Sequence, residues 1–261
     1  VEFYESGWDV KHIMKQILMS ATYRQSSAGT PELWKEDPQN RLLARGARFR
    51  LQAEAIRDAT LKVSGLLVER VGGASVNPYQ PEGLWREVSH YGSSPATAQV
   101  FVQDHGEKLY RRSMYTYWKR TVPPPTMATF DAPSRETCIV KRSRTNTPLQ
   151  ALALLTDVTY VEASRKLAER MLEQKTLTSA GRIRFAMRVV LAREPSDREL
   201  DVFLKGWERY QSRFAAQPEA ARKFLDVGES RSAIQYDPAE HAAFTVIASL
   251  ILNLDETINR E

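Results

Sequence analysis

Hydrophobic positions along this chain recur mainly at helical spacing. In the first such run Val10, Ile13, Met14, Ile17 and Leu18 fall at i, i+3, i+4, i+7 and i+8, the stripe of an amphipathic helix over WDVKHIMKQILMSA. Ser6 followed three residues later by Asp9 predicts a capping-box-like start, and the small and polar residues of TYRQSSAGTP break the run. Beyond Asp37–Asn40 a longer helix is expected through about Leu67. Leu51, Ala55, Ala59, Lys62 and Val63 are spaced for it, and Gly65 loosens its end. Its opening carries Arg41, Arg45, Arg48 and Arg50. Arg50–Glu54 and Glu54–Asp58 at i+4, with Glu54–Arg57 at i+3, give it a salt-bridge-laced face.

The pattern changes at Gly72-Gly73. From there to about Pro133 the chain is rich in Pro, Gly, aromatics and short extended runs. RRSMYTYWKRTV (Arg111–Val122) is the best strand candidate, because Ser113, Tyr115, Tyr117 and Lys119 alternate with Arg112, Met114, Thr116 and Trp118. Three prolines, 123–125, stop it by removing ladder donors.

Helical spacing returns at Thr147-Pro148-Leu149-Gln150, which supplies an N-cap hydroxyl, Pro at N1 and Gln at N3. Asp157 is placed to cap the next helix, VTYVEASRKLAERMLEQ, whose apolar face is Val161, Ser164, Leu167, Ala168, Met171 and Leu172. Further helices are expected over Arg182–Ala192, from the Ser196/Glu199 capping box to about Phe214, and from Asp237-Pro238-Ala239-Glu240 through Leu254. The expectation is therefore a mainly α fold with a small extended and loop-rich insertion in the middle. It forms one domain over 1–261, helical in 1–67, loop-rich with short strands in 68–145 and helical in 146–261.

Composition narrows the class. At 261 residues, with 42% apolar and 26% charged, the chain has ample length to bury a core. Its longest apolar run, Phe244–Leu254, falls well short of the roughly 20 residues a membrane span needs. The sequence opens Val1-Glu2-Phe3 without an initiator Met, so it reads as a C-terminal piece of a longer chain and its compartment is not legible from it. The one cysteine, Cys138, excludes an internal disulfide, a Cys-based zinc site and a Cys-x-x-Cys-His haem attachment within these residues.

Charge sharpens the search. Residues 101–150 hold nine Lys/Arg against four Asp/Glu, which is the whole net excess of +5. A field concentrated in one segment can steer an anionic partner, although such runs also serve as solvated faces. Tyr110, Tyr115, Tyr117 and Trp118 interleave there with Arg111, Arg112, Lys119 and Arg120. Aromatics beside cations suit an acidic or sulfated glycan, or single-stranded nucleic acid, for which no RNP, helix-turn-helix or zinc-finger signature is present. The alternative is that half of these aromatics face the core. Arg142, Arg144 and Asn146 precede a helix N-terminus, where the dipole and free N–H groups favour anions; the competing fate is pairing with Asp131, Glu136 or Asp157. With Arg111 and Arg112 they are the anion-binding candidates, and Tyr117 and Trp118 the aromatic ones.

Other chemistry is thinly represented. His12, His90, His105 and His241 lie far apart, without His-x3-His or His-Glu-x-x-His spacing, so no metal site is assigned. Gly72-Gly73 lacks the companions of a phosphate loop, and no Gly-x-Ser-x-Gly elbow occurs. Asp104-His105-Gly106 is a polar turn whose acid and imidazole suit proton transfer, though Asp and Gly also simply favour turns.

Several ordered motifs carry a resemblance. RTNTPLQALALLTDVTYVEASRKLAERM, with SATYRQSS, DPQNRLLARGARFRLQAEAIRDATLKVSG, YRRSMYTYWKRTVPPP and FDAP, resembles planctomycete-specific domain one, the domain of unknown function numbered fifteen fifty-three. The likeness runs from Gly7-Trp8-Asp9 to Leu252–Glu256. It implies the C-terminal domain of an extracytoplasmic, periplasmic or secreted protein that carries a planctomycete-type cytochrome c domain upstream. Haem c would belong to that upstream domain, so no cofactor is expected in these residues. The implied partners are the other domains of the same polypeptide. The family supplies no catalytic residues to map. Together with the well-specified helices and the absence of catalytic spacing, this leads to the expectation of a non-catalytic structural or interaction module; the charge and aromatics of residues 101–150 supply the alternative, recognition or processing of an anionic polysaccharide.

Overall fold

A computed structural model describes residues 1–88, 99–232 and 234–260, with Val88 lacking a described side chain. The described chain is mainly α, as the spacing of its apolar positions predicts. Its contacts divide it into two compact units, Val1–Arg50 with Asn259–Glu261, and Leu51–Ile258.

In the smaller unit the first helix, α1, spans Val10–Met19. Its N-cap is Asp9, whose carboxylate accepts the His12 N–H at 3.0 Å. Ser6 instead closes a preceding turn of helix, Glu2–Glu5, with its hydroxyl donating to the Phe3 carbonyl, and Trp8 at φ +66° separates the two. The long helix expected from Arg41 is absent as far as Gln52. Asp37 takes the Arg41 and Leu42 N–H groups at 2.8 and 2.7 Å, and Leu43 at φ +54° then turns the chain out of the right-handed helical region. Arg45 is buried over the Trp34 ring at 3.8 Å. The unit closes on a two-residue antiparallel ladder, β1 (Phe49–Arg50) with β2 (Asn259–Arg260).

The larger unit begins at α2, Ala53–Ser64, which ends on Gly65 at φ +82°, a left-handed position that glycine fills without strain. The expected helical half follows as α3 (Pro148–Thr156), α4 (Val158–Leu172), α5 (Ser179–Leu191), α6 (Asp197–Ala216), α7 (Pro218–Leu225) and α8 (Pro238–Leu252). Their caps are the ones the residue types dictate. Gln150 accepts the Thr147 N–H at 3.2 Å, Asp157 the Thr159 N–H at 2.9 Å, and Asp237 the Glu240 N–H at 2.8 Å. Ser196 and Glu199 form the capping box of α6. The α5 start lies earlier than expected, because Thr178 accepts the Gly181 N–H. Helix α7 was not expected; Pro218 at its first turn is its start signal.

Helix α8 is apolar nearly all round, and such a helix is stable only when enclosed. Phe244, Ile247 and Ile251 are fully buried against Leu167 and Met171 of α4, Ile183 and Met187 of α5 and Phe203 of α6. Each such side chain contributes about 1.5–3 kcal/mol by leaving water. A second cluster joins Ala53 and Ile56 to Met127, Phe130, Leu154, Tyr160 and Ile258, and a third joins Leu61 and Leu66 to Leu109, Tyr110 and Ala163.

The expected strand over Arg111–Val122 is not a strand. Residues Gly106–Tyr110 and Ser113–Tyr115 are 3-10 turns, and the neighbouring pairings are isolated bridges, Val68 with Arg111, Val76 with Thr116 and Lys119 with Val122. The buried positions are Arg111, Ser113, Thr116, Lys119 and Val122, a spacing of two and then of three rather than a strict period of two. Asp58 sets this register by accepting the Ser113 N–H at 2.7 Å.

One polar cluster ties α6 to the chain's last helical turn. Arg193 donates to Glu199 and to Glu256, with its closest contact to each at 2.7 Å. The Arg193 guanidinium holds the Glu199 carboxyl at about 2, well below its ordinary value of 4.5. A carboxylate lowered on folding adds stability above its unfolded value and loses it as pH falls toward the folded one. The stability difference between wild type and Glu199→Gln in urea titrations is therefore expected to be constant near neutrality and to shrink steadily below about pH 4.5. A pH-independent difference would show that the ion pair adds nothing.

Candidate functional site

The basic and aromatic candidates are positioned by different parts of the larger unit. Arg111 is 1% exposed. Its guanidinium donates to the carbonyls of Ala74, Arg70 and Gly72 at 3.1, 3.0 and 2.5 Å and lies 3.8 Å from the Tyr115 ring centre. Arg112 is exposed and stands 3.7 Å from Asp58. Arg142 is half-buried and pairs with Glu54 at 2.9 Å and Gln52 at 3.1 Å. An open depression bordered by Gln52 and residues 139–144 includes Arg142 and Arg144 but none of Arg111, Arg112, Tyr117 or Trp118. Asn146 is exposed. Tyr117 is half-buried beside Trp85, and Trp118 packs on the second apolar cluster with its indole N–H donating to Ser134 at 3.0 Å. Lys119 is buried over the Trp85 ring, and burial pushes its ammonium below its ordinary value. Two of the segment's nine cations thus lie inside the protein, so its surface field is weaker than the sequence count implies.

The Asp104–His105 turn is built into a polar network. Asp104 accepts the Asn77 N–H at 2.8 Å and the Lys108 ammonium at 2.9 Å. Burial pushes its carboxyl up, but these donors outweigh it and hold the group below its ordinary value. His105 is exposed and meets Glu229 at 2.5 Å, and Gln103 and the Gly106 N–H converge on the same carboxylate. His12 is exposed and His241 buried, where burial lowers its imidazole; His90 lies outside the described residues. Among the described residues, no group of three or more His, Cys, Asp or Glu is arranged to hold a metal ion.

Beneath this turn lies a buried carboxylate that sequence reasoning missed. Glu162 of α4 is fully buried and accepts the Tyr110 hydroxyl at 2.9 Å and the Ser230 N–H at 2.6 Å. Tyr79 is hydrogen-bonded to Tyr110 and accepts the Glu229 N–H at 2.8 Å. One turn further along α4, Arg165 bridges Glu169 at 2.9 Å and Ser230 Oγ at 2.8 Å. Burial pushes the Tyr110 hydroxyl up to about 12 and drives Tyr79 upward as well, so both phenols stay protonated near neutrality. Glu162, Arg165 and Glu169 share one stripe of α4 at i, i+3 and i+7, and this was the available signal. It goes unread because the neighbouring stripe is so strongly apolar.

Tyr79 also lines a pocket of about 430 Å³ beside α3. Pro81, Pro125, Leu149, Leu152, Ala153 and Val158 form its apolar walls, while Gln80, Gln103, Thr126 and Asp157 supply polar groups. Asp157 is already engaged by Thr126 Oγ1 at 2.5 Å and the Thr159 N–H. Leu149, Leu152, Leu155 and Val158 are exposed on the same helix pair. The pocket thus presents apolar walls, amides and hydroxyls beside a carboxylate and a phenol that already have hydrogen-bond partners.

A family model described as "PSD1: Protein of unknown function (DUF1553)" matches residues 1–207. The chain belongs to that family. In this PSD1 chain the match takes in α1 to α5, the basic–aromatic segment and the pocket beside α3. No curated protein and no solved structure matches. No described helix is long and apolar enough to cross a membrane.

Proposed function

We propose that this chain is a non-catalytic interaction module of an extracytoplasmic, cytochrome c-linked multidomain protein, joined to the other domains of the same polypeptide. The observation that carries this reading is the exposed Leu149, Leu152 and Val158 lining one open pocket. A contiguous apolar surface of that kind is costly to leave in water and characteristic of a binding face. The alternative, an anionic glycan, has weaker support. Arg111 is buried on backbone carbonyls, and Arg142 faces Glu54.

Calorimetric titration with the purified upstream domains tests the module reading. Binding is expected, and Leu152→Lys, at a position 52% exposed, is expected to weaken it at least about tenfold by placing a charge on the apolar face. Absence of binding by wild type would overturn it. So would turnover of a substrate by the chain alone that disappears in His105→Ala.

A further inference from the structure

The two glutamines of the pocket are oriented by partners with only one hydrogen-bonding role each. The Trp85 indole, a donor only, gives its proton to Gln80 Oε1 at 3.1 Å, which fixes the Gln80 carbonyl and turns its amide NH2 the other way. The Glu229 carboxylate, an acceptor, takes the Gln103 NH2 at 3.2 Å, which leaves the Gln103 carbonyl as that side chain's remaining acceptor. Both side chains line the pocket whose walls are Pro81, Pro125, Leu149, Leu152, Ala153 and Val158. The lining therefore includes the Gln80 NH2, with no bond from the indole, and the Gln103 carbonyl, with no bond to the carboxylate, beside aliphatic walls.

We propose that this pocket takes an extended polypeptide segment and seats one of its aliphatic side chains. The Gln80 NH2 donates to a peptide carbonyl of the segment, and the Gln103 carbonyl accepts a peptide N–H. A backbone amide presents this donor and acceptor together, and an extended chain sends the adjoining side chain out of the amide plane into the floor. The walls favour a peptide over an N-acetylated sugar. Sugars stack on open aromatic faces, whereas six of these wall residues are aliphatic or proline and the Tyr79 hydroxyl is held by Tyr110 and the Glu229 N–H. An acidic ligand is disfavoured by Asp157 in the lining. This inference rests on the interaction-module reading and adds the chemistry of the partner.

The test is an NMR titration of the isotope-labelled chain with acetyl-Ala-Ala-Leu-Ala-Ala-amide. Parallel titrations use its lysine counterpart, N-acetylglucosamine, and two analogues in which the amide on either side of the leucine is replaced by an ester. The leucine peptide is expected to shift the methyls of Leu149, Leu152 and Val158 saturably, and the lysine peptide to bind at least about tenfold more weakly, one charge being lost from water in an apolar floor. At least one ester is expected to bind about three- to tenfold more weakly, the loss of one hydrogen bond. Equal affinity of both esters and the amide, tighter binding of N-acetylglucosamine at these methyls, or no shift there at millimolar peptide would each overturn the proposal. Should the upstream domains still bind in a manner sensitive to Leu152→Lys, the module reading survives and the peptide-clamp reading falls alone.

Discussion

Gly228→Ala is expected to destabilise the larger unit by about 2–4 kcal/mol, the range of a severe steric and backbone lesion. Gly228 sits at φ +86°, where an L side chain is strained. A Cβ there would lie 2.3 Å from Glu162 Cδ and 2.5 Å from its Oε1. Glu162 has nowhere to retreat, being fully buried and held by Tyr110 and the Ser230 N–H. The loop around Gly228 must therefore lift, releasing the Ser230 contacts to Glu162 and Arg165 and the Glu229 contacts to His105 and Gly106. Urea denaturation checks the stability loss, and faster exchange of the Ser230 amide hydrogen checks the mechanism. Gly206→Ala is the control. That glycine lies inside α6, and a Cβ there would make only ordinary contact, 3.5 Å from Ile247 Cδ1. It is expected to stabilise by about 0.5–1 kcal/mol through helix propensity. A double mutant adding Glu162→Ala to Gly228→Ala should cost less than the two single changes summed, because the clash is removed. Additive costs would mean that the carboxylate does not set the position of the loop.

The contrast between these glycines shows what was legible in the sequence. Helix existence was, because a stripe and a cap are local statements: Thr147-Pro148-Leu149-Gln150 and Ser196–Glu199 encode helix starts in four residues each. Register over Arg41–Gln52 and Arg111–Val122 was not. In the first, Asp37 captures two N–H groups and Leu43 leaves the right-handed region. In the second, Asp58, more than fifty residues away, captures the Ser113 N–H. Those are tertiary decisions that no short window contains. Nor does an apolar stripe say what it covers. Val10, Met14, Ile17 and Leu18 form the stripe of α1 and are exposed, whereas the equally regular Leu167 and Met171 are fully buried.

The candidate site follows the same rule. Residue types in 101–150 pointed to an anion surface, but a guanidinium has five donors and binds carbonyls as readily as anions. Arg111 faces carbonyls of residues 70–74, while Arg57, buried nearby, donates to the carbonyls of Leu109 and Arg111 at 2.7 and 2.9 Å. Arg57 thus ties the loop-rich middle to α2 and Arg111 ties two parts of that middle together, using side chains where a β-sheet would use backbone ladders. The pocket glutamines were unreadable for a related reason. Their orientation depends on Trp85 and Glu229, and Glu229 lies 126 residues beyond Gln103.

Arg111→Ala is consequently expected to destabilise the chain by about 3 kcal/mol, as removal of a buried charge from its fixed acceptors does. Three carbonyls lose their donor, the Tyr115 ring loses its stacked guanidinium, and the bridge from Val68 to Arg111 loses its anchor. Arg111→Lys should recover less than half of this loss, since one ammonium is a point charge and cannot span three divergent carbonyls or stack on the ring. Arg142→Ala provides the comparison. Its pair with Glu54 is partly open to water, 34% and 21% exposed, and such pairs contribute at most about 1 kcal/mol. Urea denaturation of the three variants separates the cases. Arg111→Ala costing no more than Arg142→Ala would return Arg111 to the list of surface cations available to an anionic partner. A gap of about 2 kcal/mol between them fixes it as the fastener of the loop-rich middle. The charge excess of residues 101–150 would then be, in part, the residue of a folding solution and not the imprint of a ligand.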